Sequence, residues 1–394
     1  MNEEKKRNIW LDGIMGVVTG DALGCPVEFK TREELDRDPV TGMRSYGTFN
    51  MPAGTWTDDS SKMLATLDSI LERGKLNFPD VMYRFALWLA KGEYTPFGEA
   101  FDVGGGTMDA ITRYMRMKEP DINECGGVSP ENNGNGSLMR IMPPCLYLYQ
   151  RYHLQEDDMT AIWAIHKMSG LTHNHLRAKI ACGLYYFMVC AILDTKRETS
   201  AQSRITDTKT RIPAEGIGAV EVYVSLGGPT DKASDTNLMA VMQKGLDRGF
   251  AYYAKCTQEI RIDEASGAGY ARELSYYDRI RELEHFAALP CEQIHSHGYV
   301  LDTMEAALWC LVTTESYREC ALKAVNLGHD TDTIAAIAGG LAGLWYGYDG
   351  IPEEWRKVIQ RREWIEDMCG RAERLLSRSS SDIMDSDNKN SGRE

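Results

Sequence analysis

Two short acidic clusters carry the chemistry that is most legible in this chain. Thr57-Asp58-Asp59-Ser60 and Gly328-His329-Asp330-Thr331-Asp332-Thr333 lie about 270 residues apart, and each opens a strongly apolar stretch with helical spacing. Each cluster offers two carboxylates and neighbouring hydroxyls, the oxygen donors that hard divalent cations prefer. Side chains at adjacent or i, i+2 positions do not share a helix face, so Asp58 with Asp59, and Asp330 with Asp332, can converge only at a helix start or in the turn before it. If all four carboxylates met within about 5 Å, each pair would repel by roughly 3 kcal/mol at an effective dielectric near 20, and six pairs would approach about 20 kcal/mol. Two bound dications would cancel those four charges. The plainer alternative is that both clusters are helix N-caps, since Thr and Asp accept hydrogen bonds from free amides and complement the helix dipole.

Two glycine-rich segments, Gly104 to Gly106 and Gly134 to Ser137, fit neither the dinucleotide fingerprint nor a P-loop. A glycine-rich turn entering a helix presents free amides that can cradle a diphosphate, which an acidic protein needs where basic patches are lacking; flexible loops are the alternative. His173 and His175, with His166 nearby, are spaced like a transition-metal pair, but a closing Cys or carboxylate is missing. His295 and His297 flank an expected loop and read as a solvated pair. Met139 and Arg140 read as packing or bracing residues.

The elements that must position these groups are mainly helices. Met63, Leu64, Leu67, Ile70 and Leu71 follow the amphipathic helical pattern, and Phe78 to Leu89, Met159 to Met168, Lys179 to Leu193 and Met304 to Val312 read similarly. Ile334 to Gly347 is rich in Ala and Gly; glycine costs roughly 1 kcal/mol in a helix interior, so several together predict a central helix whose small side chains let neighbours approach closely. The best strand candidate, Ala219 to Leu226, lies in a Thr-, Ser-, Asp- and Gly-rich region from about 194 to 277, read as an insertion. Residues 377–394 have almost no apolar side chains and are expected to form a disordered tail. Residues 1–376 are then expected to form a single domain carrying that insertion.

Composition narrows the function classes. With 394 residues, 43% of them hydrophobic, a full core is available. The N-terminus shows no apolar run followed by a cleavage site, and no stretch of about 18 uncharged apolar residues occurs, so neither a secretory signal nor a membrane span is expected. The ten cysteines include no CxxC pair and most sit singly in apolar segments, which suggests reduced thiols in a cytoplasmic protein. The net charge of −14 argues against a nucleic-acid groove.

Five ordered motifs extend the acidic clusters: Gly16-Val-Val-Thr-Gly-Asp-Ala-Leu-Gly-Cys-Pro-Val-Glu28-Phe29, Gly54-Thr-Trp-Thr57-Asp58-Asp59-Ser60, Gly134-Asn135-Gly136-Ser137-Leu-Met-Arg140, Leu171-Thr172-His173, and Asn326-Leu-Gly-His-Asp330-Thr-Asp332-Thr333. In this order they make the chain resemble the ADP-ribosylglycohydrolase family. The resemblance implies an all-α fold: a compact multi-helix domain whose central cleft holds two Mg²⁺ or Mn²⁺ ions and binds ADP-ribose. It places Thr57, Asp58, Asp59, Asp330, Asp332 and Thr333 on the metal ligands, an all-oxygen set that disfavours zinc. It matches Glu28 to a catalytic carboxylate over the metals, Asp102 to an acidic residue near the substrate ribose, and His173 to the cleft wall. Gly104, Gly105, Gly106, Asn135, Gly136 and Ser137 are the expected ADP-ribose contacts. Ser60 stands where many relatives carry Thr, and the 194–277 region has no counterpart.

The activity implied is metal-dependent release of ADP-ribose from an ADP-ribosylated protein or small-molecule conjugate, by water attack at the distal ribose C1″. An arginine N-glycosidic bond is the default; ADP-ribosylserine and O-acyl-ADP-ribose remain alternatives. A phosphohydrolase built on His329-Asp330 would require imidazole ligands, and a non-catalytic ADP-ribose binder would keep the fold without turnover.

Overall fold

The computed structural model describes residues 7–152, 158–205, 209–212, 220–223, 237–259 and 264–390. Sixteen α-helices follow in order among these residues. They are α1 (Ile9–Gly24), α2 (Arg32–Arg37), α3 (Asp58–Arg73), α4 (Phe78–Lys91), α5 (Gly105–Arg116), α6 (Met142–Tyr152), α7 (Asp158–Gly170) and α8 (Leu176–Ile205). After a hairpin of β1 (Lys209–Ile212) and β2 (Val220–Tyr223) come α9 (Leu238–Glu259), α10 (Glu264–Ser275), α11 (Leu283–Ala287), α12 (Val300–Val312), α13 (Tyr317–Val325), α14 (Thr331–Tyr346), α15 (Glu353–Val358) and α16 (Arg362–Asn390). The fold is all-α, as expected. The hairpin pairs antiparallel, Lys209 with Tyr223 through Ile212 with Val220, and β2 falls inside the expected strand.

Local chemistry sets the helix boundaries. Asn8 caps α1 by accepting from the amides of Trp10 and Leu11 at 3.0 and 3.1 Å, and Asn77 caps α4 in the same way. Gly74 and Gly92 end α3 and α4 in the left-handed conformation, at φ 67° and 65°.

The fold is centred on α1 and α14, which make the most extensive helix–helix contact. Gly16, Gly20 and Gly24 on α1 face Gly339, Ala335 and Asp332 on α14 so closely that a Cβ on any of the three would collide with backbone of α14. The Tyr317 hydroxyl donates to the Gly16 carbonyl at 2.7 Å and the Tyr185 hydroxyl to the Ile337 carbonyl at 3.1 Å, so neighbouring helices are pinned to the same pair. The Ala- and Gly-rich stretch after the second acidic cluster is therefore the central helix that its composition predicts.

The region read as an insertion divides differently. Residues 213–219 and 224–236 lie outside the described residues, but α9 packs on α8 and buries Leu238, Val241, Met242, Leu246, Phe250 and Tyr253 at helical spacing. This face of α9 thus belongs to the core. Helix α16 runs to Asn390, through most of the stretch read as a tail; residues 391–394 lie outside the described residues. Within α8, Leu176–Thr199 is apolar and long enough to cross a membrane, yet 89% of its most apolar window is buried inside the protein, as for a core helix.

A side chain at Gly20 has nowhere to go, because its Cβ would meet the Ala335 carbonyl. Gly20→Val is expected to destabilise the fold by about 3 kcal/mol or more, read as the denaturation midpoint. Gly269→Ala, in α10 with open space around its Cβ, should be neutral or stabilising by up to about 1 kcal/mol. Equal effects of the two would overturn this account of the helix contact.

Candidate functional site

The site is assembled where α3 and α14 begin. Asp21, buried on α1, accepts from the Thr57 amide at 2.9 and 3.1 Å, the Ser60 amide at 3.0 Å and the Ser60 hydroxyl at 2.6 Å. This one carboxylate fixes the start of α3 to the central helix pair. Burial pushes Asp21 up to about 7, against the hydrogen bonds from Ser60 and Thr57. On the other side the Thr331 hydroxyl donates to the Gly24 carbonyl at 2.9 Å, which fixes the start of α14 to the end of α1.

The four aspartates converge. Thr333 donates to Asp59 Oδ1 at 3.4 Å, linking the two clusters directly. Thr57 does cap α3, its Oγ1 accepting from the Asp59 amide at 3.3 Å. Asp330 occupies the N-cap position of α14 but makes no side-chain capping bond; its Oδ2 accepts from Asn135 Nδ2 at 2.6 Å, and the same amide group donates to Thr303 Oγ1 at 2.9 Å. Capping therefore does not account for Asp330. Glu28, Asp330 and Asp332 each offer an oxygen within 4.8 Å of the others. Asp102 lies close enough to Glu28 and Asp332 that its charge helps to raise both.

Four buried carboxylate oxygens have no partner among the described residues: Glu28 Oε2, Asp59 Oδ2 and both oxygens of Asp332. Leaving such atoms dry and unpaired is costly, and an oxygen-only donor set is what a hard cation needs. The residues present fit a metal centre. Asp58 is partly compensated already, by an ion pair with Lys62 one turn along α3 in which both groups are buried; the Lys62 ammonium also lies 5.0 Å from the centroid of the Trp88 ring.

Above this floor is a cleft of about 520 Å³ lined by Glu28, Asp58, Asp102, Asp330 and Thr333 together with Gly104 to Gly106, Asn135, Gly136 and His173. Three of its other-than-glycine residues have left-handed backbones: Phe29 at φ 65°, Asp102 at 54° and His329 at 62°. Such conformations cost about 1–3 kcal/mol each and cluster at functional sites. Phe29 and His329 are held by reciprocal bonds: the Phe29 amide donates to the His329 carbonyl and the His329 amide to the Lys30 carbonyl, both at 2.7 Å. His173 is packed so closely under the glycine loops that a Cβ on Gly136 would lie 2.8 Å from its Cε1 and one on Gly106 3.2 Å from its Nε2. Burial, aided by the Arg140 and Lys62 cations, pulls His173 down to about 3, so its ring is neutral. Arg140 braces it through Thr172, donating to Oγ1 at 2.9 Å while that hydroxyl sits 2.8 Å from His173 Nδ1.

Comparison with known proteins decides the family. A sequence profile described as ADP-ribosylglycohydrolase matches residues 2–382. The chain belongs to the ADP-ribosylglycohydrolase family. It is 27% identical to an ADP-ribosylarginine hydrolase Tri1 from Pseudomonas putida (strain GB-1), over 93% of this chain and 77% of that protein. It is 26% identical to an ADP-ribosyl-[dinitrogen reductase] glycohydrolase from Rhodospirillum rubrum, over 89% and 90%, and 34% identical to human ADP-ribosylhydrolase ARH3, over 93% of each. A solved structure described as an ADP-ribosylglycohydrolase-related protein complex shares the fold, with TM-score 0.62 and 24% identity over 94% of this chain and 98% of that one.

As an ADP-ribosylglycohydrolase, the chain is a hydrolytic enzyme of a metal-dependent family, and its carboxylate cluster is placed to hold metal. Of the residues that the sequence singles out, the structure gathers Glu28, Asp102, all four aspartates, Thr57, Thr333, Gly104 to Gly106, Asn135, Gly136 and His173 in or directly beneath one cleft. Ser137 is not among the residues that line the cleft. Its hydroxyl is buried behind the loop, accepting from Ser169 at 2.9 Å and lying 3.6 Å from Cys182 Sγ, because the turn rotates that side chain toward α8. His297 is exposed, as the solvated reading expects, and also lines the cleft, its ring 4.2 Å from that of His329. Asp21 and Lys62 are positioning groups that sequence reading left without a role. An aspartate inside a helix of small residues and an i, i+4 Asp58–Lys62 pair in an apolar helix were the available signals.

Burial and mutual repulsion raise the carboxylates together. Glu28 is pushed up to about 11 by burial, then by Asp102 and Asp330; Asp102 reaches about 7 through burial, then Asp58; Asp59 and Asp332 are also raised well above the carboxylate range. Groups whose folded pKa exceeds the unfolded value contribute stability below the unfolded pKa and lose it as pH rises through the folded pKa. Without metal, stability should therefore fall as pH rises from about 4 through 7, the span set by Asp21 and Asp102. Saturating Mg²⁺ should raise Tm over EDTA-treated protein by roughly 3–5 °C at pH 8 and by much less at pH 5. A Tm gain independent of pH, in a thermal melt series, would contradict this.

Proposed function

We propose that this ADP-ribosylglycohydrolase releases ADP-ribose from ADP-ribosylated arginine, water replacing the guanidinium nitrogen at C1″ of the distal ribose. The observation that carries this reading is the unpartnered, buried oxygen set of Glu28, Asp59 and Asp332, gathered with a cleft that Glu28 lines together with Gly104 to Gly106, Gly134 and Gly136. Thr57, Asp58, Asp59, Asp330, Asp332 and Thr333 would hold two Mg²⁺ or Mn²⁺ ions. When bound, these would orient the ribose hydroxyls and the attacking water.

The remaining roles follow from the chain itself. Gly104 caps α5 without a side-chain bond, so the first amides of that helix are open to the diphosphate. Glu28 and Asp102, both lining the cleft and raised by burial, form a carboxyl pair able to take the proton from water and to return one to the departing nitrogen. A cationic guanidinium conjugate suits this acidic cleft, and the relative named an ADP-ribosylarginine hydrolase supports the choice. An imidazole-based phosphohydrolase finds no support, since the clustered candidate ligands are carboxylates and His329 pairs with His297 on the cleft wall. A second reading, cleavage of the O-linked serine conjugate, is favoured by the position of Glu28 against Asp330 and Asp332. Reduced thiols also suit a cytoplasmic setting: no disulfide forms among the described residues.

The test is release of ADP-ribose from arginine- and serine-linked peptides, with Mg²⁺, Mn²⁺ or excess EDTA. Wild-type enzyme should prefer the arginine conjugate, and Asp332→Asn or Glu28→Gln should each lower kcat by roughly 100-fold or more. Turnover that survives both EDTA and Asp332→Asn would remove the metal from the proposal; preference for the serine conjugate would select the second reading.

A further inference from the structure

Each carboxylate of the Glu28–Asp102 pair has a phenylalanine as its chain neighbour: Phe29 follows Glu28 and Phe101 precedes Asp102. Phe49, from a third loop, joins them. Its ring lies 6.1 Å from that of Phe29 at 66° and 5.2 Å from that of Phe101 at 58°. Edge-to-face and tilted pairs at these separations are favourable, so one aromatic run ties together the loops that carry both acids.

Packing alone does not explain Phe29. Its side chain is 65% exposed, and its backbone holds a left-handed φ of 65° that a bulky residue adopts only under constraint. The position is nevertheless firmly fixed. The Phe29 amide donates to the His329 carbonyl at 2.7 Å; the Thr48 amide donates to the Pro26 carbonyl at 2.9 Å and its hydroxyl to the Glu28 carbonyl at 2.7 Å. Among the described residues that line the cleft, Phe29 is the one phenylalanine, and no tyrosine or tryptophan accompanies it. A strained, braced and outward-facing ring beside Glu28 is built for contact with something outside the fold.

We infer that the exposed ring of Phe29 is the acceptor subsite: a stacking surface for a planar cation, the guanidinium through which ADP-ribose is linked. The inference rests on the arginine-type reading above and adds where that specificity is written. The glycine loops and the acidic floor account for the diphosphate and the ribose, so the leaving group must pass the rim that Glu28 and Phe29 form. There the ring face attracts a flat cation through its quadrupole, and Glu28 and Asp102 line the same cleft. A serine hydroxyl has neither the charge nor the plane to use such a surface.

The experiment compares wild type, Phe29→Ala and Phe29→Tyr on arginine- and serine-linked ADP-ribosyl peptides, with ADP-ribose binding measured by calorimetry. Phe29→Ala should raise KM for the arginine conjugate roughly tenfold. Phe29→Tyr should stay within about twofold of wild type, as should ADP-ribose affinity in both variants. Loss of ADP-ribose affinity in parallel with KM, or a comparable loss on the serine conjugate, would mean that Phe29 only braces Glu28 and would overturn the subsite; so would an unchanged KM. Failure of the parent reading is seen separately, as wild-type enzyme that does not cleave the arginine conjugate, and it would take this inference with it.

Discussion

Mutual repulsion among buried carboxylates is the constraint on which this structure turns. Asp59 is raised by Asp21, Asp58 and Asp330 beyond what burial does alone, and Asp332 by Glu28, Asp102, Asp59 and Asp330. Left to itself such a cluster would fly apart or take up protons. The fold must supply enough binding elsewhere to hold it together, and what it gains is a pocket of negative potential that only small, hard cations can fill well. Lys62 answers part of that potential at Asp58, but the unpartnered oxygens of Asp59, Asp332 and Glu28 are left facing inward.

The means of holding the cluster is steric as much as electrostatic. Small residues let α1 and α14 come within backbone contact, which sets the end of α1 against the start of α14. Asp21 then transmits that alignment to α3 through four short hydrogen bonds. Both acidic clusters are thus indexed to one rigid pair of helices, while the walls of the cleft come from loops under backbone strain at Phe29, Asp102 and His329. Rigid floor and strained rim are a common division of labour in enzymes, since ligand positions tolerate little error and recognition surfaces are carried by loops.

Much of this was legible in the sequence because it is local. Paired aspartates before apolar runs can be read as helix starts, and Ala and Gly content marks a close-packed central helix. The residues that escaped notice depend on tertiary contact. His297 reaches the cleft only because its loop passes beside His329, and nothing near it in sequence says so. Ser137 sits in the right motif, yet rotates into the core toward Cys182. The aromatic run of Phe29, Phe49 and Phe101 joins three separate loops. The helical part of the 194–277 region is a different case. Its polar composition hid the 3.6-residue spacing of Leu238, Val241, Met242, Leu246, Phe250 and Tyr253, which was there to be read.

The pairing of α1 with α14 joins segments near opposite ends of the chain, residues 9–24 and 331–346. During vectorial synthesis the first acidic cluster emerges long before its counterpart, so the growing polypeptide carries half a site with no partner for Asp21's helix. Contacts of such long range form late, after most of the intervening chain has been ordered. The acidic site is consequently complete only late in synthesis: a translation product that stops before Asp330 carries the first cluster with nothing to face it.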